Sequence, residues 1–240
     1  MTTLVTSFLQ NINNRKNVDY LEHGKFIINL DIPKIIFINE ECMPQSSYNT
    51  HYTHFIPVKK EDIYLYEYIN NNISLPAISD GAKDTIDYIF LMCNKTEFIR
   101  RAIELDYFNT GDEGQFIWVD FGINYIFKLE MAEFEQKIKN SLTGKNYNRI
   151  RIGSIWDLNC ARVTDIYNAI AWYFAGGVFG GNKESLLIFA EKTKQKCIQI
   201  IKEKNHIMWE VNIWYLIYKE NIDLFYPYQC DHDERLITNY

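Results

Sequence analysis

Phe116-Ile117-Trp118-Val119-Asp120-Phe121-Gly122 decides the fold of this 240-residue chain. Four apolar residues run without interruption into a carboxylate and a glycine. A strand with one face in water alternates apolar and polar residues, whereas a strand covered on both faces reads as a continuous apolar run. The stretch therefore predicts a central strand of a parallel sheet with helices on either side. In open α/β sheets ligands bind beyond the carboxyl ends of the strands, which places Asp120 at the ligand end.

Towards the amino terminus three shorter runs of the same kind precede it: Leu4-Val5-Thr6-Ser7-Phe8, Lys34-Ile35-Ile36-Phe37-Ile38 and Phe55-Ile56-Pro57-Val58. Between the last of these and Phe116, apolar residues from Ile86 to Leu105 recur at helical spacing, predicting one long helix over about 84–105 with Asp84, Lys95, Arg100 and Arg101 on its polar face. The succession of strand, crossover, strand, helix and strand is that of a doubly wound α/β domain.

Towards the carboxyl terminus the pattern changes. Glu130 to Asn140 reads as a charged amphipathic helix, and Arg149 to Trp156 alternates like an antiparallel or edge strand. A glycine-rich turn follows at Gly176-Gly177-Val178-Phe179-Gly180-Gly181. Asn182 is placed to cap a helix reaching about Lys202. A further helix is expected from Trp209 to Lys219, then a strand at Leu224-Phe225-Tyr226. With no repeat and no Pro-, Gly- or Ser-rich linker, one domain is expected, its halves meeting near residue 123: a nucleotide-binding half, 1–123, and a smaller mixed half, 124–240.

Several side chains have the chemistry of a site. A carboxylate at a strand end, such as Asp120, can hold Mg²⁺ or Mn²⁺ against a diphosphate; the plainer reading is an aspartate capping the turn before Gly122. Glu210 shares a helix face with Ile213, Trp214 and Ile217. A carboxylate on an apolar stripe is costly unless paired or near a helix N-terminus, so Glu210 is a candidate base or sugar ligand, or a structural group locking loops to the helix start. Gly176 and Gly177 let a ligand approach the backbone closely. In Asp231-His232-Asp233-Glu234, His232 is a possible metal ligand beside Asp120, and a solvated acidic loop is the alternative.

The formal net charge of −6 gives no general attraction to a phosphate backbone, so nucleic acid is not the expected partner. Five scattered cysteines without zinc-ligand spacing read as reduced thiols. The amino-terminal residues show neither a basic leader nor a long apolar stretch, from which a cytoplasmic protein with no integral membrane segment is expected.

On Asp84-Thr85 with Lys95, on Phe116 to Ile123, and on Ala175-Gly176-Gly177-Val178-Phe179-Gly180-Gly181, the chain resembles the HtrL/YibB-like proteins, a group related to GT-A glycosyltransferases and associated with surface-saccharide genes. The resemblance runs from Thr3 to Tyr240. It implies a GT-A-like fold, a nucleotide-sugar donor (a UDP-sugar foremost), a glycan, lipid-linked or protein acceptor, and Mn²⁺ or Mg²⁺. It places Thr6, Phe8 and Arg15 near base, ribose or phosphate, Glu40 after the second strand, and Asp84 and Lys95 on the nucleotide side. Gly176 and Gly177 would line the donor sugar, Glu210 would reach it, and Asp120 with His232 would hold the metal. GT-A enzymes usually carry Asp-x-Asp where this chain has Asp120-Phe121-Gly122, so a nucleotide- or saccharide-binding protein without turnover stays open. A nucleotidyltransferase fits less well, because Gln10 to Lys16 has two cations but no glycine.

Overall fold

The computed structural model describes residues 1–10, 19–44, 51–70, 72–78, 80–81 and 84–240. Their strands form one sheet: β1 (Thr2–Phe8), β2 (Lys34–Ile38), β3 (Thr53–Pro57), β4 (Gln115–Val119), β5 (Ile150–Ser154), β6 (Phe174–Asn182) and β7 (Phe225–Gln229), in the order β3-β2-β1-β4-β6-β5-β7. The first four strands are parallel to one another. Strand β6 alone is reversed, antiparallel to β4 and β5, and β7 runs parallel to β5. The chain is thus an α/β fold with a mostly parallel, mixed sheet.

Continuous apolar strands are explained by cover on both faces. Helices α2 (Ile86–Cys93), α3 (Lys95–Leu105), α6 (Lys183–Lys204) and α7 (Glu210–Glu220) contribute to the core that contains Phe116 and Trp118. Helices α1 (Tyr20–Ile28), α5 (Met131–Leu142) and α8 (Arg235–Thr238), with the short α4 (Asn124–Phe127), close over Ile117 and Val119. Successive residues of β4 therefore point into different cores, and all five are buried. Each such apolar side chain contributes about 1.5–3 kcal/mol through burial.

Two expectations are corrected. The helix over 84–105 is two helices: α2 ends at Asn94, at ψ −4°, and the chain restarts as α3 at Lys95, with the Asn94 amide still donating to Phe90 and its carbonyl accepting from Phe98. The glycine-rich turn is strand β6. Its glycines are there for space, since a Cβ on Gly180 would lie 2.5 Å from the Tyr240 hydroxyl and 2.6 Å from the Phe116 carbonyl. Of the two readings of 149–156 the antiparallel one holds: β5 pairs antiparallel with β6, and β7 beyond it keeps it off the edge. Helix α1 was not anticipated, although Asp19 accepts from the Glu22 amide as its cap. The Asn182 cap of α6 is as expected, its side chain accepting from the Ser185 amide. All five cysteines are free thiols. Among the described residues no helix is long and apolar enough to cross a membrane.

Candidate functional site

Strand β4 delivers Trp118 and Asp120 to the same face, two residues apart. The Trp118 Nε1–H donates to Asp120 Oδ1 at 2.7 Å, and the Asp120 amide donates to the Gly177 carbonyl at 2.9 Å. Because β6 runs against β4, its beginning lies at the carboxyl end of β4, which is how Gly176 and Gly177 reach Asp120. The turn after β4 closes through the Ile123 amide on the Asp120 carbonyl, so the side chain of Asp120 is not needed to cap it.

The break at Asn94 puts Lys95 on the first turn of α3, 2% exposed. Its Nζ lies 2.9 Å from Asp120 Oδ1, 3.2 Å from Glu210 Oε1 and 3.0 Å from the Gly176 carbonyl oxygen. An ammonium has three N–H groups and here meets three acceptors. Burial alone lowers the pKa of an ammonium, but Asp120 and Glu210 outweigh it, and Lys95 sits above its ordinary value. The side chain is charged and fully engaged within the protein.

Glu210 opens α7, where the helix N-terminus favours negative charge, and is 4% exposed. Its Oε1 faces Lys95, while its buried Oε2 has no hydrogen-bond partner among the described residues. A Cβ on Gly176 would lie 2.5 Å from Glu210 Oε1 and 3.3 Å from Lys95 Nζ, so only glycine fits beneath this pair. Gly177 is different: the nearest atom to an added Cβ is 3.6 Å away and Asp120 Oδ2 is 3.8 Å away.

These groups line a cavity of about 380 Å³ at the carboxyl ends of β1 and β4. Of the residues singled out from the sequence, Phe8, Lys95, Asp120, Gly176, Gly177, Glu210 and His232 line it. Phe8 stacks on Phe121 with ring centroids 5.0 Å apart. Thr6, Glu40 and Asp84 do not line it. Thr6 is buried within β1, Glu40 is exposed in the turn after β2, and Asp84 Oδ2 accepts from the Asp80 amide at 2.8 Å. Arg15 lies outside the described residues. His232 contacts the edge of Trp172 at 4.4 Å between centroids. Asp231 Oδ1 accepts from the His232 amide at 2.8 Å and lies 3.9 Å from its Nδ1, while Asp231 and Asp233 also pair with Arg235 at 3.5 and 2.6 Å, and Glu234 with Lys137.

Sequence reasoning missed the aromatic walls, Tyr20, Tyr88, Tyr125, Trp172 and Trp209. Only Trp118 carried a usable signal, the two-residue strand period that aligns it with Asp120. One polar anchor was missed as well. Asn212, 1% exposed, donates to the carbonyls of Ile166 and Ala169 at 2.7 and 2.8 Å and accepts from the Ala171 amide at 2.8 Å. It ties the connection between β5 and β6, which carries Trp172, to the helix that carries Glu210.

Among the described residues no group of three or more His, Cys, Asp or Glu side chains is arranged to hold a metal ion. No family model matches the chain, and no curated protein matches it in sequence.

Proposed function

We propose that the protein is a GT-A-type glycosyltransferase that moves a sugar from a nucleotide-diphosphate donor, a UDP-sugar foremost, to a glycan, lipid-linked or protein acceptor. The observation that carries this reading is the carboxylate pair Asp120 and Glu210, tied to one buried lysine in a cavity with aromatic walls beyond the ends of parallel strands. The HtrL/YibB-like resemblance of the Trp118-to-Gly122 and Ala175-to-Gly181 segments supports it, as does a sheet whose first half is parallel and second half mixed.

In this reading the aromatic walls, with Phe8 on one side and Trp172 on the other, stack on base and sugar faces and exclude water. The Gly176 and Gly177 backbone gives the donor sugar a close approach. Glu210 accepts hydroxyl hydrogen bonds or stabilises positive charge developing at the sugar carbon. Asp120 and His232 both line the cavity, which supports a divalent cation held by few protein ligands. Asp120 Oδ2 and the His232 imidazole would hold Mg²⁺ or Mn²⁺ that keeps its waters and shares diphosphate oxygens, since such ions are commonly bound by one or two protein ligands plus phosphates. Bound in that way, the ion would supply charge neutralisation of the leaving diphosphate.

A second reading, binding without turnover, is favoured by the single carboxylate at Asp120 where Asp-x-Asp is usual. Calorimetry of UDP, GDP and CMP with and without Mn²⁺ separates the possibilities. Manganese-dependent binding of one diphosphate, lost in Asp120→Asn, is the expected result, followed by hydrolysis or transfer of the matching sugar nucleotide. Binding with no release of sugar from any donor, acceptors supplied, supports the second reading; no nucleotide binding by folded protein removes both.

A further inference from the structure

The two carboxylates of the site share one cation, and that cation is a side chain. Lys95 Nζ stands 2.9 Å from Asp120 and 3.2 Å from Glu210, with the Gly176 carbonyl at 3.0 Å as its third acceptor. We propose that Lys95 is the resident cation of this site, neutralising Asp120 Oδ1 and Glu210 Oε1 in place of a divalent ion, so that the free protein does not take up Mg²⁺ or Mn²⁺ at Asp120 and a metal enters at Oδ2 only together with a phosphate-bearing ligand.

Three observations carry the inference. The ammonium is at 2% exposure, hydrogen-bonded to Glu210 and the Gly176 carbonyl and ion-paired with Asp120, so room for a second cation beside it is scarce. Asp120 Oδ1 already accepts from the Trp118 indole and is ion-paired with Lys95, which leaves only Oδ2 for an incoming ion. Charge completes the argument: with Lys95 in place the three groups sum to one negative charge, and a dication at Oδ2 feels an ammonium a few ångströms away. Repulsion at such a distance is strong in a partly buried site, and it is relieved when a diphosphate adds negative charge. Lys95 is therefore a positioning residue. It fixes the two carboxylates and sets the order in which charges arrive. This goes beyond the reading as a sugar transferase and holds for any phosphate-bearing ligand.

The test uses MnCl₂ alone, with no nucleotide present, and follows the free Mn²⁺ resonance by electron paramagnetic resonance on the full chain. Wild type and Asp120→Asn are expected to give identical titrations, any weak uptake being that of the exposed acidic run near Asp231. Lys95→Met removes the charge and frees Asp120 Oδ1 and Glu210 Oε1, so Mn²⁺ affinity should rise by about tenfold or more and fall back in Lys95→Met/Glu210→Gln. The wild-type arm needs no variant at Lys95. Mn²⁺ uptake by wild type that Asp120→Asn abolishes overturns the proposal, and so does a folded Lys95→Met that binds no more Mn²⁺ than wild type. Because no nucleotide enters the experiment, failure to bind UDP would not bear on it.

Discussion

The two ends of the sheet each bury a lysine, and they treat it in opposite ways. Lys34 opens β2 at the amino end with 0% exposure, and its Nζ donates to the carbonyls of Leu30 and Ile32. Burial pulls its pKa down to about 8, with Asp31 and Glu135 pulling back only in part. Lys95, at the carboxyl end, is as deeply buried, yet two carboxylates in direct contact hold it above its ordinary value despite burial. The side chain and the burial are the same, and the company decides. Carbonyl dipoles satisfy hydrogen bonds without compensating the charge; carboxylates do both. The carboxyl end is where this molecule has gathered full charges.

The comparison breaks most visibly if the two lysines are removed. Lys95→Met leaves the buried Glu210 carboxylate, and the partly exposed Asp120 beside it, without their cation and is expected to cost about 3–5 kcal/mol of unfolding free energy, measured by urea denaturation at pH 7. Lys34→Met removes a charge the fold does not favour and should cost under about 1 kcal/mol, or stabilise. Equal losses would refute the contrast.

Next in size is the pH response. The folded pKa of Lys34, about 8, lies below its ordinary 10.5. Between these values the unfolded chain holds a proton that the folded chain does not, so stability rises with pH across that window, by up to about 2–3 kcal/mol. Lys95 has the opposite sign. Its stabilisation is complete below the ordinary lysine value of 10.5 and is lost between that value and its raised folded one. Between pH 7.5 and 10 the urea midpoint of wild type should move upward relative to that of Lys34→Met, the difference between the two isolating Lys34 from the buried cysteines and tyrosines, whose raised values act in the opposite direction.

Smaller again is the glycine pair. Gly176→Ala drives a methyl group into Glu210 and Lys95 and should cost about 1–3 kcal/mol; Gly177→Ala, in ordinary contact distance of its neighbours, should stay within about 0.5 kcal/mol. Thermal denaturation of both variants decides whether the space beneath the ion pair is as tight as described. The smallest effect is expected at Arg235→Ala, which frees the exposed Asp231 and Asp233 and should leave the melting temperature unchanged, since solvated pairs contribute little. A clear drop there would mean that the tail run is more than a solvated surface.

The strands of the parallel half were legible because burial on two faces leaves a continuous apolar run, and the α6 start was legible because Asn182 caps locally. Glu210 stood out for the same kind of reason, a carboxylate on the Ile213–Trp214–Ile217 stripe. What stayed hidden is whatever depends on contacts far apart in sequence. Lys95 and Glu210 are separated by 115 positions, and no local pattern announces that one neutralises the other. Strand β6 looked like a turn because glycine permits both; the close approach of Tyr240 and Glu210 that requires it is a tertiary fact. Thr6, Glu40 and Asp84 were placed by resemblance to a nucleotide site, and each lies off the cavity wall, in the β1 core, on the surface or in its own hydrogen-bonded turn. His232 and its acidic neighbours read as one cluster, yet only His232 faces the cavity, because Arg235 and Lys137 hold the others outside.

The carboxamide of Asn212 has a mechanical consequence. Three hydrogen bonds to a single connection, from a helix turn that also begins with Glu210, weld the Trp172 wall and the glutamate into one rigid piece. A ligand arriving there meets a width already set when the chain folded. The entropy of ordering that wall is lost once, at folding, and need not be lost again at each encounter. Slackening the weld, for instance with Asn212→Ala, would then show first as a slower, less selective capture of ligand, with the cavity itself still present.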